Sequence, residues 1–592
     1  MWKSLSGSAG SVEQALIQLL PPCQIKCPIK EDIQRTNVLI SLLPDEAEKA
    51  RDGIIEIGNY LYSNNPMFNI CGYVCGLCEL ECNYKSKGGA IGRRLLKRFL
   101  SDTYTPYLPK KESFPLPHGD RVAVVGGGPA GLNAAFQLGR LGYQVTIFES
   151  SNRLGGALWL IPDYRLPKDV LSATCENMVR IANVEVKLNS TFGEGNLTID
   201  KLKEQGFKAF FVGKGSSQPR VLTFGKDVVE GQDLSGVMYG HTFLYEVSYG
   251  NIPIDYFSNK RVMVIGGGNV AFDAARTARR LGGDVTIVAL ESREQIPADE
   301  AEIRGAWEEG IKIIYSRGVG RIIGEGGKFK SIQSPRCVSV FDKNGFNPKF
   351  DVADSIFLSG DILLITVGQM ADRGALSQDG LLDKNGRLAV DPLTFQSAQR
   401  PEVFVGGDVH RIGFMVEGML SGQIAAESID RYLRGVDLKL GRQRSFDKLA
   451  LPLRDRYKQS LETVWIPPEK RLHFQLFERG FSLREAIEEA KRCTNCGPCA
   501  SCKACVSLGF QENLPTITVH LHKCSGCGMC VYVCNYYAAK LYDQDGDIFS
   551  QTDAYRCKSC AMCVRACPSQ ARTMNEDIFN EKIYSTLRSL SK

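Results

Sequence analysis

Residues 121 to 149 read RVAVVGGGPAGLNAAFQLGRLGYQVTIFE. An apolar strand, Arg121 to Val125, runs into a glycine turn, then a helical segment, then a second strand that ends in Glu149. Each part has a physical task. Gly126 allows the tight turn, Gly128 lets a pyrophosphate approach the backbone, and Gly131 lets helix and strand pack closely. The helix N-terminus then faces phosphate, and Glu149 can accept hydrogen bonds from a ribose. Strand, loop, helix and acid in register make this a complete dinucleotide-binding fingerprint, far more specific than an isolated GxGxxG.

A second copy spans residues 261 to 288, RVMVIGGGNVAFDAARTARRLGGDVTIV. Gly266, Gly268 and Asn269 open its loop, and Ala271 stands where the third glycine would be, a replacement the fingerprint tolerates. Two such units suggest one domain nested within another. A third segment, Val403 to Asp408, is a strand ending in Gly406-Gly407-Asp408, followed by the helical stretch SGQIAAESIDRYLRG.

Together these segments resemble the flavoprotein reductases with two dinucleotide domains. The runs RLGGAL (153–158), IPDYRLPK (161–168), VIGGGNVAFDAAR (264–276) and IPADEAEI (296–303) narrow the likeness. They resemble the small subunit of glutamate synthase and the matching part of dihydropyrimidine dehydrogenase, over roughly residues 20 to 436. The resemblance implies FAD in the first domain, with Gly126, Gly128, Gly131, Glu149, Arg153, Gly407 and Asp408 as contacts. It implies a nicotinamide nucleotide in the second, with Gly266, Gly268, Asn269 and Ala271, and hydride transfer to the flavin N5; Glu291 is expected to join these contacts on its own chemistry. One departure bears on the nucleotide. Relatives place two adjacent arginines, suited to a 2′-phosphate, where this chain has Leu290-Glu291. A carboxylate repels phosphate but can bond a 2′-hydroxyl, so NAD(H) is expected over NADP(H).

The cysteines carry a separate message. Cys524, Cys527, Cys530 and Cys534 form a C-x2-C-x2-C-x3-C run, and Cys557, Cys560, Cys563 and Cys567 repeat it before Pro568. In two-cluster ferredoxins the fourth cysteine of each run ligates the other cluster. Cys524, Cys527, Cys530 and Cys567 are therefore expected on one [4Fe–4S] cluster, and Cys557, Cys560, Cys563 and Cys534 on the other. His520 and His522 read as surface residues, because four cysteines already suffice. Near the N-terminus lie Cys23-x3-Cys27-Pro28 and Cys71-x3-Cys75-x2-Cys78-x3-Cys82. The same relatives carry two clusters in an N-terminal helical domain, but their pattern has two further cysteines upstream of the first pair. This chain has none there. It also lacks the late Gln or Glu ligand of some relatives, since Leu95 to Phe99 contains Lys97 and Arg98. One N-terminal cluster is expected, and a second needs ligands from elsewhere.

Five cysteines, Cys493, Cys496, Cys499, Cys502 and Cys505, follow the helical run REAIEEAKR. Two arrangements are open. Cys493 and Cys496 can fold back to Cys23 and Cys82, or four of the five can hold their own cluster. The second closes less chain and is the favoured expectation. With Cys175 and Cys337 as core thiols, the 21 cysteines allow three or four clusters, about 12 to 16 iron atoms at four per cubane.

At 592 residues, with 43% hydrophobic and 23% charged residues, the chain has the composition of a multidomain globular protein. No apolar run reaches about 18 residues, so no membrane span is expected. The N-terminal stretch shows no signal-peptide pattern. Net charge is only +6, and no nucleic-acid module is present. Clustered cysteines favour metal ligation in a reducing cytoplasm. The expected architecture is multidomain α/β: a helical iron–sulfur domain (1–115), an FAD-binding Rossmann-like domain (116–245 and 365–436), and a nested NAD(P)-binding domain (246–364). A connector (437–485), the cysteine array (486–510) and an α+β ferredoxin-like domain (511–592) follow. The function expected is electron transfer between NAD(P)H and ferredoxin or a partner subunit. Two other readings are a NAD-reducing subunit of a larger 2-oxoacid or aromatic-compound oxidoreductase, and a non-catalytic electron-transfer module.

Overall fold

The computed structural model describes residues 17–105, 119–195, 197–343, 345–439, 442, 445–448, 458–461, 463–494, 496, 517–534, 538–544, 547–552, 557 and 561–574. Cys499, Cys502, Cys505 and Cys560 lie outside the described residues.

The first glycine loop belongs to a parallel sheet of five strands: Val403–Val405, Phe207–Val212, Arg121–Val125, Gln144–Phe148 and Glu185–Lys187. Strand order reverses at Arg121–Val125, which has successive strands on one side and the returning chain on the other. In open α/β sheets ligands bind at such a switch point, beyond the carboxyl ends of the strands. Phe210, Phe211 and Val212 are fully buried, as strands covered on both faces require.

The second loop lies on another five-stranded parallel sheet, ordered Lys312–Ile314, Asp284–Val288, Arg261–Ile265, Ile362–Ile365 and Val237–Tyr239. An antiparallel meander of Arg321–Glu325, Lys328–Asp342 and Gly345–Ser359 is inserted between Lys312–Ile314 and Ile362–Ile365. The two chain crossings between the lobes pair with each other, Gln218–Pro219 against Gln369–Met370. Strand Val237–Tyr239 belongs to the second sheet, so that lobe begins before the boundary expected at residue 246. Its signal was missed because the strand precedes the glycine loop and is only half-buried.

The N-terminal segment is helical, with helices Pro22–Lys26, Ile33–Ser41, Ala47–Asn64, Phe68–Val74 and Arg93–Tyr104. One strand, Ile17–Leu20, pairs in parallel with Ser445–Lys448. The region 437–485 is therefore more than a tether. Glu478 ion-pairs with Arg94 and Arg98, Arg471 with Glu308, and Arg280 bonds the carbonyl of His473. Helix Leu483–Lys491 starts with a capping box of Ser482 and Glu485 and buries Ala486, Ile487 and Ala490 in the core that contains Ile33, Ile40 and Leu96.

The C-terminal module has a core of its own, including Ile517, Val531, Val533 and Ala539. Strand Ile517–Val519 pairs with Arg572–Met574, and Ala539–Gln544 with Asp547–Thr552. Short helices Met529–Val533 and Met562–Arg565 each follow a cysteine run's midpoint. No described helix is long and apolar enough to cross a membrane.

Candidate functional site

Gly126 has φ +99°, and a Cβ there would lie 2.4 Å from the carbonyl oxygen of Gly213. At Gly131 a Cβ would lie 1.9 Å from the Gly126 oxygen. Only glycine at both places lets helix Pro129–Arg140 rise directly from the strand, with Gly128 at its N-cap. Glu149 is held over the loop: one carboxylate oxygen accepts the Gly127 N–H at 2.6 Å and the other the Ser151 N–H at 2.8 Å. Gly407 and Asp408 reach the same place from strand Val403–Val405. The Gly407 N–H donates to Ser421 Oγ at 2.8 Å, and a Cβ on Gly407 would lie 2.9 Å from Ala130. Burial pushes the Asp408 carboxyl up, and the nearby Glu417 adds to this, against a bond from the Gly413 N–H. Arg153 behaves differently from its neighbours. Its guanidinium stacks between Trp159 and Tyr249, 3.8 Å from each ring centre, and bonds Ser248 Oγ at 2.8 Å. Its side chain thus ties the first lobe to the second, while the backbone of Gly155 bonds the glycine loop at Gly127.

The second loop repeats the first at Gly266, which also has positive φ. Gly268 caps helix Asn269–Arg280, and a Cβ there would meet nothing within 4 Å. Asn269 uses its side chain to accept the Asp299 N–H at 2.9 Å, fixing the loop before helix Glu300–Glu308. Ala271 is fully buried. Glu291 overhangs the loop, with Oε2 2.5 Å from where a Gly267 Cβ would stand. Unlike Glu149, that oxygen is buried with no hydrogen-bond partner among the described residues, and burial pushes the carboxyl up.

The cysteines gather into groups that cross the sequence. Cys27, Cys71, Cys75 and Cys78 lie together: Cys71 is hydrogen-bonded to Cys75, and Cys27 interacts electrostatically with Cys75 and Cys78. Cys23 neighbours Cys493, Cys496, Cys78 and Cys82, and burial and then these thiols push it well up. Burial, then Cys493, pushes Cys496 up to about 11, with Cys82 adding to the rise. Cys493 and Cys496 are thus beside Cys23 and Cys82, contrary to the expectation that contiguity would win. The physical reason is the docking of helix Leu483–Lys491. Arg492 donates to the carbonyls of Gly88 and Gly89 at 2.8 and 2.7 Å. Its buried ion-pair partner Glu489 accepts the Gly92 N–H at 2.8 Å. In the C-terminal module, Cys524, Cys527, Cys530 and Cys567 line one cavity. Cys563 interacts with Cys534 and Cys557. His520 bonds Thr573 instead of joining either group.

Residues 120–427 match the family described as pyridine nucleotide-disulphide oxidoreductase, and residues 523–572 match the 4Fe-4S dicluster domain. The chain belongs to the pyridine nucleotide-disulphide oxidoreductase family.

Three relatives extend the likeness. The chain is 30% identical to the beta subunit of an NADP(+)-dependent formate dehydrogenase of Moorella thermoacetica, over 80% of this chain and 70% of that one. It is 27% identical to the putative oxidoreductase YgfK of Escherichia coli, over 89% of this chain but only 49% of that protein. It is 27% identical to the small chain of glutamate synthase [NADPH] of Escherichia coli, over 70% of this chain and 89% of that one. As a member of this family the chain is an FAD- and NAD(P)-dependent iron–sulfur oxidoreductase with [4Fe–4S] clusters.

The residues present fit those groups. The raised carboxyl of Asp408 and the overhanging Glu149 suit the polar parts of a flavin dinucleotide at the first loop. The orphaned Oε2 of Glu291 suits a hydroxyl donor at the second. No three His, Cys, Asp or Glu among the described residues close around a single metal ion, whereas a four-iron body spreads its thiolates more widely. Burial disfavours ionisation of Cys23, Cys27 and Cys78, and bound iron would supply the cation that favours it. Sequence reasoning missed the charges next to these thiols. Buried Lys97 interacts with Cys71, Cys78 and Cys75, and with Glu31, itself paired with Arg93 at 2.9 Å. The only signal was a lysine where relatives carry a ligand.

Proposed function

We propose that this chain moves electrons between NAD(H) and a one-electron acceptor, either ferredoxin or a partner subunit, by way of FAD and four [4Fe–4S] clusters. Bound FAD supplies the exchange between hydride and single electrons, and the clusters carry those electrons onward. The chain's own residues bind, space and tune these groups. The observation that supports the reading is the gathering of the described cysteines into groups, Cys23 with Cys493 and Cys563 with Cys534 among them, in a chain that also holds both glycine loops.

The cluster ligands are read as Cys27, Cys71, Cys75 and Cys78; Cys23, Cys82, Cys493 and Cys496; Cys524, Cys527, Cys530 and Cys567; and Cys534, Cys557, Cys560 and Cys563. FAD is read as held by the Gly126–Gly131 loop, Glu149, Gly407 and Asp408, with Arg153 setting the lobes' orientation. NAD(H) is preferred over NADP(H). Two of the three relatives named above specify the phosphorylated nucleotide, but the buried, unpartnered oxygen of Glu291 lies over the second loop and opposes a phosphate there. Membership of a complex is supported by the words "subunit" and "small chain" in relatives' names.

The test is oxidation of NADH by the purified chain with a viologen dye as one-electron acceptor. Steady NADH-dependent dye reduction supports an electron-transferring enzyme. A loaded protein that leaves NADH untouched would reduce it to a wire with a structural nucleotide site.

A further inference from the structure

Arg572 is 2% exposed and stands between the two C-terminal cysteine groups. Its Nη1 donates to Cys563 Sγ at 3.2 Å. Its Nη2 donates to Ser550 Oγ at 2.5 Å and to the Gln551 carbonyl at 3.1 Å. Ser550 Oγ lies 2.9 Å from Cys530 Sγ, and the Arg572 backbone N–H bonds Cys567. One residue therefore touches a thiol of one group directly, and reaches two thiols of the other through its backbone and one hydroxyl. Its place is fixed by strand pairing, Arg572 opposite Val519. The bonds its side chain makes go to a thiol, a hydroxyl and a carbonyl, and its Nε has no partner among the described residues.

We propose that Arg572 is a shared positioning and tuning residue, whose buried positive charge raises the reduction potential of both C-terminal clusters. This rests on the reading of those cysteines as ligands to two [4Fe–4S] clusters. Reduction adds one negative charge to a cluster already made negative by four thiolates. A fixed cation beside the sulfurs favours that state, and cluster potentials follow net charge and hydrogen bonds to sulfur. A guanidinium stays protonated at every accessible pH. In a protein interior its effect on a charge a few ångströms away is several times what it would be in water. Because both clusters feel the same charge, it shifts both potentials in the same direction.

The experiment is a redox titration of the full chain followed by electron paramagnetic resonance. Arg572→Gln with full iron content should make both C-terminal clusters harder to reduce, by at least tenfold in the one-electron equilibrium, about 59 mV. Arg572→Lys should recover part of that shift, and Ser550→Ala should lower only the Cys530 cluster. Unchanged potentials in iron-replete Arg572→Gln overturn the proposal. If that variant fails to hold iron, Ser550→Ala decides: a lowered potential of the Cys530 cluster alone supports the proposal, and a wild-type value there overturns it. Cys563→Ala separates the two levels of failure, since unchanged iron there overturns the ligand reading itself, and the tuning role with it.

Discussion

The thiol of Cys23, on helix Pro22–Lys26, stands beside the thiol of Cys493, just past a helix that begins at Leu483. On the proposed assignment a cluster shared by these segments would pin the two together, with Cys82 and Cys496 completing its ligands. Cys23→Ala and Cys496→Ala should each lose about four iron atoms, the content of one cubane. The double variant should lose no more than either alone, because both act on one site. Iron analysis checks this. Additive losses would mean that Cys496 serves a separate cluster in the array.

Glu291 should set the choice of nucleotide. A hydrogen bond to a charged group is worth about 1.5–3 kcal/mol, so Glu291→Gln should lower kcat/KM for NADH by at least about tenfold. Leu290→Arg with Glu291→Arg should turn the preference to NADPH. Burial holds the Glu291 carboxyl above its ordinary value, so it protonates earlier as pH falls. KM for NADH should then rise in mild acid for the wild type and stay flat for Glu291→Gln. A wild-type preference for NADPH would sink the assignment.

The parts read well from sequence are those whose signal is local. Gly126 and Gly131 announce a turn because no other residue fits, and Cys524 to Cys534 announce a cluster by spacing alone. Local spacing could not show where Cys493 would go. That depends on Ala486 and Ile487 finding a core built by residues Ile33 to Leu100, and on Arg492 meeting the carbonyls of Gly88 and Gly89. Contiguity argued for a separate array because it counts loop closure and omits burial. The strand Ser445–Lys448, in a stretch read as connector, escaped notice for a similar reason: its partner is Ile17–Leu20, far off in sequence.

The second lobe hides a charge network that its fingerprint does not mention. Arg276 is fully buried and pairs with Glu302 and Glu309 at 2.6 and 2.7 Å. Glu302 and Asp273 also hold Arg165 of the first lobe. Removing one partner of such a buried pair leaves uncompensated charge and costs about 3–5 kcal/mol. Arg276→Ala should therefore lower Tm sharply. The double variant Arg276→Ala with Glu309→Gln should be less unstable than the sum of the two single changes. Thermal unfolding checks both. Simple additivity would show that the network is not energetically linked.

The C-terminal module should be the outlet. Its core of Ile517, Val531, Val533 and Ala539 is separate from the core that holds Cys71 and Ile487, so its loss need not unfold the rest. The point of truncation matters. A cut before Leu483 would also remove Cys493 and Cys496 and confuse two sites, whereas deletion of residues 511–592 keeps both. That deletion should leave reduction of the flavin by NADH intact, seen as bleaching of its absorbance, and should abolish transfer to the physiological acceptor. About eight iron atoms should go with it, the content of two cubanes. If onward transfer survives the deletion, electrons leave through the N-terminal clusters, and the charges of Lys97 and Arg93 become the place to look for the exit.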